Sequence, residues 1–81
     1  PETAQERRLF EALRNRRLEL AREQGVPPYV IFHDRTLAEV ARQRPQTEQD
    51  IGQFSGVGEL KRERYGAAFR EVIRAHDGQQ N

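Results

Sequence analysis

The sequence predicts an all-α fold: one compact domain of five helices, two long and three short. Three observations predict it. Apolar residues recur at helical spacing through a long opening stretch and again through a long closing one. The single apolar run that could form a strand, "VPPYVIF", is broken by two prolines and has nothing to pair with. Threonines stand ahead of two shorter helical patterns, where N-caps belong. With 81 residues, about a third of them hydrophobic and a third charged, the chain can form a thin core beneath a charged surface.

From Glu2 to Gln24 no helix breaker appears, and Leu9, Phe10, Leu13, Leu20 and Ala21 fill one arc of a helical wheel. Gly25 ends this first helix. In Val26–Phe32 the double proline forbids a regular helix start before Tyr29, so the segment is read as a short helical turn buried in the core. "HDRTLAEVARQRP" follows as a helix with Asp34 or Thr36 as N-cap, Thr36 and Glu39 having capping-box spacing, and Pro45 stopping it. In "TEQDIGQF" Thr47 caps, Asp50 lies three residues on, and Ile51 and Phe54 are apolar. "SGVG" is a turn. Glu59 to His76 form the last helix, with Tyr65, Ala68, Phe69, Val72 and Ile73 on its buried arc. The domain thus spans residues 1–81, with a core over 6–76 and a polar, frayed tail, "DGQQN", over 77–81.

Composition excludes several classes of function. The formal net charge is +1, so nucleic-acid binding is expected to be weak and confined to one patch. Without cysteine there are no disulfides and no thiolate metal sites. No run reaches the roughly eighteen apolar residues of a membrane span, and no secretory signal is visible. The carboxylates are dispersed among arginines and read as solvated faces with pairs such as Glu59–Arg62 and Glu71–Arg74, not as a metal-holding cluster for hydrolysis. "GVG" lacks the lysine and spacing of an ATP-binding loop. His33–Asp34 has no ligand-spaced partners, so it reads as a cap or a polar surface and not as a metal site. No cofactor is expected, and the fragment is not an enzyme by itself. It opens at "PETAQERRLF" without a methionine and reads as a piece of something longer. All basic residues but Lys61 are arginine, the cation suited to bidentate phosphate or carboxylate contacts.

Two places can bind a polyanion. The Tyr29 ring either fills a gap beside the first helix or stands partly exposed as a stacking platform, which the double proline would hold at little entropic cost. Arg35 and Arg42 lie two turns apart on one side of the next helix and can track a phosphate backbone. In "FSGVGELKRERYG" the cations Lys61, Arg62 and Arg64 crowd a helix N-terminus, where each costs about 0.3–1 kcal/mol. A phosphate held by backbone amides and side chains would explain them. The alternative is a turn that uses glycine for positive φ and close helix approach, followed by a solvated face. The run "RNRR", Arg14 to Arg17, reads as a solvated face.

Together, "LFEALRNRRLELAREQGVPPYVIFHDRTLAEVA", "FSGVGELKRERYG" and the closing "IRAH" resemble the HRDC domain of RecQ-family helicases and ribonuclease D, over about Glu6 to His76. The bacterial RecQ version is the most similar. The resemblance implies a five-helix globule and a non-catalytic accessory module. Its parent would be an ATP-dependent DNA helicase of recombination and repair, with motor domains outside this sequence. It further implies a monomeric module that contacts single-stranded or junction-like DNA weakly, with the helicase core of the same polypeptide as second partner, in the bacterial cytoplasm at the nucleoid. By position Tyr29 is the single-strand contact, with Arg35, Arg42, Lys61, Arg62 and Arg64 as basic neighbours. A docking module working through complementary charged patches is the alternative, and an accessory domain of an RNase D-like exoribonuclease a third reading. Two positions depart from the family pattern. Arg16 stands near the centre of the apolar arc of the first helix where a large apolar residue is usual, and Gly52 replaces a leucine-like residue. The Arg16 stem is expected to lie on the core with its head at solvent or a carboxylate. With Arg17 it marks a possible interaction surface.

Overall fold

Thr3 starts the first helix: its hydroxyl accepts the Glu6 N–H at 3.0 Å, and α1 then runs Ala4–Gln24. The computed structural model describes residues 3–78. Gly25 closes α1 at φ 67°, its N–H returning to the carbonyls of Ala21 and Arg22. The Val26 N–H also reaches the Ala21 carbonyl, at 3.0 Å. These bonds satisfy carbonyls that a helix end leaves open. There follow α2 (Pro28–Ile31), α3 (Asp34–Gln43), α4 (Glu48–Gly52) and α5 (Gly58–Gly78). The described residues form the expected five helices, two of them long, and no strand.

Several boundaries differ from expectation. α2 starts at Pro28 and not at Tyr29, because a proline at the first helical position already has helical φ and needs no N–H partner. His33, not Asp34 or Thr36, is the N-cap of α3, and its side chain makes no capping bond. Asp34 is the first helical residue, where its charge suits the helix dipole. Thr36 is buried and donates its hydroxyl to the Ser55 carbonyl at 3.0 Å, so a long-range bond replaces the capping box with Glu39. At the far end α3 stops at Gln43 because Arg44 turns left-handed at φ 49°, with buried Pro45 behind it. Thr47 caps α4 as expected, accepting the Asp50 N–H at 3.0 Å. Asp77 and Gly78, expected in a frayed tail, belong to α5. The Asp77 carboxylate holds them there, 3.8 Å from Arg44 and in contact with Gln46. The rest of that expected tail, 79–81, lies outside the described residues.

α1 packs against α2, α3 and α5, and α4 against α5. Leu9, Leu13 and Leu20 of α1, Ile31 of α2, Leu37 and Val40 of α3, Ile51 of α4 and Phe69 and Ile73 of α5 form the core. Phe32 sits at its aromatic centre, edge-on to Phe69 at 4.9 Å and to Tyr65 at 5.9 Å. Such edge contacts add about 0.5–1.5 kcal/mol beyond area burial. The Tyr65 hydroxyl donates to Gln24 Oε1 at 2.9 Å and so ties α5 to the end of α1.

The space left by Gly52 is filled by Arg62. A Cβ added at Gly52 would lie 2.8 Å from the Arg62 Cδ, so the arginine stem occupies the volume expected of a leucine. In the "SGVG" turn Gly56 and Gly58 hold φ of 87° and 65°, which L side chains rarely adopt. A Cβ at Gly56 would also come within 3.2 Å of the Thr36 hydroxyl. The two glycines therefore serve the turn and its close approach to α3.

Candidate nucleic-acid interface

Pro27 and Pro28 set the backbone of a single helical turn, and a single turn can bury only one side. Ile31 and Phe32 take the buried side. Tyr29 and Val30 are turned outward, and Tyr29 is 59% exposed. Of the two sequence alternatives for this ring, the exposed one holds. One turn further on, exposed His33 stacks beside it, with centroids 6.1 Å apart and planes 27° from parallel. Arg35 follows, exposed and without an ion pair among the described residues. Lys61 reaches the same junction from α5, its Nζ 6.0 Å from the centre of the Phe32 ring. Arg64, one turn beyond Lys61, is exposed and likewise without an ion pair there.

Tyr29 and His33 thus meet at the α2–α3 junction, Arg35 follows in the first turn of α3, and Lys61 lies over the Phe32 ring. Two other candidates are engaged elsewhere. Arg42 stands at the far end of α3 and pairs with Glu39, whose carboxyl it holds below the usual glutamate range. Arg62 lies against α4 beside Gly52 and pairs with Glu59, lowering that carboxyl in the same way. Its own pKa is raised by the same hydrogen bond.

Arg17 requires a correction. It is not part of an interaction surface: its side chain is only 9% exposed. One Nη donates to the Phe32 carbonyl at 2.9 Å, and the other lies 2.7 Å from Asp34 Oδ1. The expected apolar position on α1 is thus filled by the Arg17 stem, whose head pins the α2–α3 junction from below. Arg16 is the partly exposed member of the run and pairs with Glu19 at 3.0 Å. The signal for Arg17 was present in the sequence: it is four residues from both Leu13 and Ala21, on the apolar arc. Tyr29 and His33 meet across the end of α2, where Phe32 and His33 are extended, so helical spacing did not signal the pair.

Among the described residues no group of three or more His, Cys, Asp or Glu side chains is placed to hold a metal. No helix there is long and apolar enough to cross a membrane.

The HRDC domain family matches residues 6–73. The chain belongs to this family. Over 68 residues, 84% of its length, this HRDC domain is 47% identical to the ATP-dependent DNA helicase RecQ of Bacillus subtilis and 40% identical to that of Haemophilus influenzae. These stretches are 12% and 11% of the two relatives, so the chain spans about a tenth of their length. ATP-dependent DNA helicase UvrD2 of Mycobacterium tuberculosis is 37% identical over 76% of the chain and 9% of that protein. In three dimensions it is similar to the solution structure of the HRDC1 domain of RecQ helicase from Deinococcus radiodurans. The TM-score is 0.61 at 47% identity, covering 86% of this chain and 93% of that one.

Proposed function

We propose that this HRDC domain is a non-catalytic accessory domain of a RecQ-type ATP-dependent DNA helicase of the bacterial cytoplasm. It contacts single-stranded or junction-like DNA weakly, as a monomeric module, and tunes which substrates the motor engages in recombination and repair. The observation that carries this reading is Tyr29. A large ring is left in water on a turn anchored by buried Ile31 and Phe32, with His33 against it and Arg35, to which no acid is paired among the described residues, two positions further on. An exposed ring of this kind can stack a base, and the neighbouring cations can follow its phosphates. Weakness follows from the surface as a whole. Arg14, Arg16, Arg42, Arg62 and Arg74 each pair with a glutamate three residues earlier or later, which withdraws these five cations from phosphate.

Fluorescence anisotropy with labelled single-stranded DNA at a series of salt concentrations tests the proposal. Two to four phosphate contacts at about −0.7 each give a log–log slope of roughly −1.5 to −3. Tight binding independent of salt contradicts it.

Tyr29→Ala is expected to weaken binding by about 1–3 kcal/mol, the range for losing one stacked base. Its melting temperature should stay close to wild type, because the ring is mostly in water. A large fall in melting temperature with unchanged affinity per folded molecule would instead assign Tyr29 to packing.

One observation favours docking on the helicase core as a second reading. Leu60, at the start of α5, is 60% exposed among charges of both signs, of which Glu59 and Arg62 pair. Complementary charged patches can orient such a contact without much buried area. Absence of DNA binding even at low salt would select it.

A further inference from the structure

We propose that His33 is a second ring of the DNA site, so that one unstacked base of a single strand is contacted by Tyr29 and His33 together. This rests on the reading of Tyr29 as a DNA contact and adds a residue to it. The two rings are 27° from parallel with centroids 6.1 Å apart, and both residues are exposed. A base is a slab about 3.4 Å thick, so sandwiching one between two rings takes a centroid spacing of roughly 7 Å. The observed spacing falls short of this by less than an ångström, which small rotations of two exposed side chains supply. In this pose the base touches both rings, one on each face.

Each ring is supported from beneath. Tyr29 follows the two prolines on a turn that buried Ile31 anchors. His33 sits between the two residues that Arg17 grips, Phe32 through its carbonyl and Asp34 through its carboxylate. The chain before the imidazole is therefore tied to α1 by a backbone carbonyl, and the residue after it by its side chain. Arg35, two residues on, lies at hand for the adjoining phosphate. An imidazole making no capping bond, on a chain tied to α1 and beside another exposed ring, is well suited to stacking.

The test is titration of the 81-residue chain with fluorescein-labelled oligothymidylate at low salt, using the wild type, His33→Ala, His33→Phe, Tyr29→Ala and the double alanine variant. Thermal melts confirm that each is folded. His33→Ala is expected to weaken binding about 5- to 10-fold, the low end of the range for one stacked base. His33→Phe should bind within about twofold of wild type, since it keeps a ring face. The double variant should lose much less than the product of the single losses, because both rings serve one base. If His33→Ala binds like wild type while Tyr29→Ala is weakened, Tyr29 acts alone: the inference falls and the proposed function stands. If neither variant is weakened, both fall together. Losses that multiply would mean two separate contacts, and a His33→Phe as weak as His33→Ala would mean a polar contact; either overturns the shared-base site.

Discussion

Phe69→Ala is expected to lower the melting temperature of the domain more than any other substitution argued for this chain. Phe69 is 1% exposed and supports Phe32, whose ring also meets Tyr65 and lies beneath Lys61. Truncating a buried Phe costs about 3–5 kcal/mol, through lost transfer energy and the cavity left behind. A chain of 81 residues has a total stability of about 4–12 kcal/mol at the usual per-residue value. The loss is therefore a large share of what holds the domain together. At about 4–8 °C per kcal/mol, the melting temperature should fall by at least ~12 °C. Circular dichroism melts of Phe69→Ala and Phe69→Leu measure it, and the leucine variant should lose less than half as much. A fall below about 5 °C in the alanine variant would show that Phe32 and Tyr65 close over the gap. The consequence reaches the candidate site, because Phe32 ends the turn that carries Tyr29. Molecules of Phe69→Ala that remain folded on cooling should bind DNA less well than wild type.

The long helices were legible because their apolar periodicity repeats over many turns, so no single residue decides them. Thr47 was legible because its partner, the Asp50 amide, is three residues away. Thr36 was not: its hydroxyl is claimed by Ser55, nineteen residues on, and a local pattern cannot see that partner. Removing Thr36 from the cap also freed Glu39 to pair with Arg42, which took Arg42 out of the set of available cations. Glu59–Arg62 was expected from its spacing, yet the same pairing also withdraws Arg62 from phosphate binding. Arg16 and Arg17 both satisfy helical spacing to the leucines of α1. What places Arg17 inward is a carbonyl and a carboxylate at the α2–α3 junction, which become its partners only once α1 has packed there. Tyr29 stood undecided because a turn flanked by prolines can face either way. Burial of Ile31 and Phe32 settles it, since one turn cannot also bury the residue opposite.

Arg17→Ala is the substitution in α1 with the largest expected effect among its charged positions. It strips the buried Phe32 carbonyl of its side-chain donor, at about 1–3 kcal/mol, and removes a stem that fills a core position. Breaking a fully buried ion pair costs about 3–5 kcal/mol, but the abandoned Asp34 side chain is 67% exposed and can hydrate. The expected loss is therefore ~2–3 kcal/mol, or roughly 8–24 °C in melting temperature. Arg17→Met keeps most of the stem and should lose about half as much, whereas Asp34→Asn should cost under about 1 kcal/mol. The ordering Ala, Met, then Asn separates the carbonyl and packing contributions from the ion pair. Because Arg17 grips the residues on both sides of His33, Arg17→Met should also weaken single-strand binding about two- to threefold at a temperature where it is fully folded. Its melting temperature alone would not reveal that effect. An Arg17→Ala variant melting within about 3 °C of wild type would put the guanidinium back in solvent, on the charged surface that the "RNRR" run predicts.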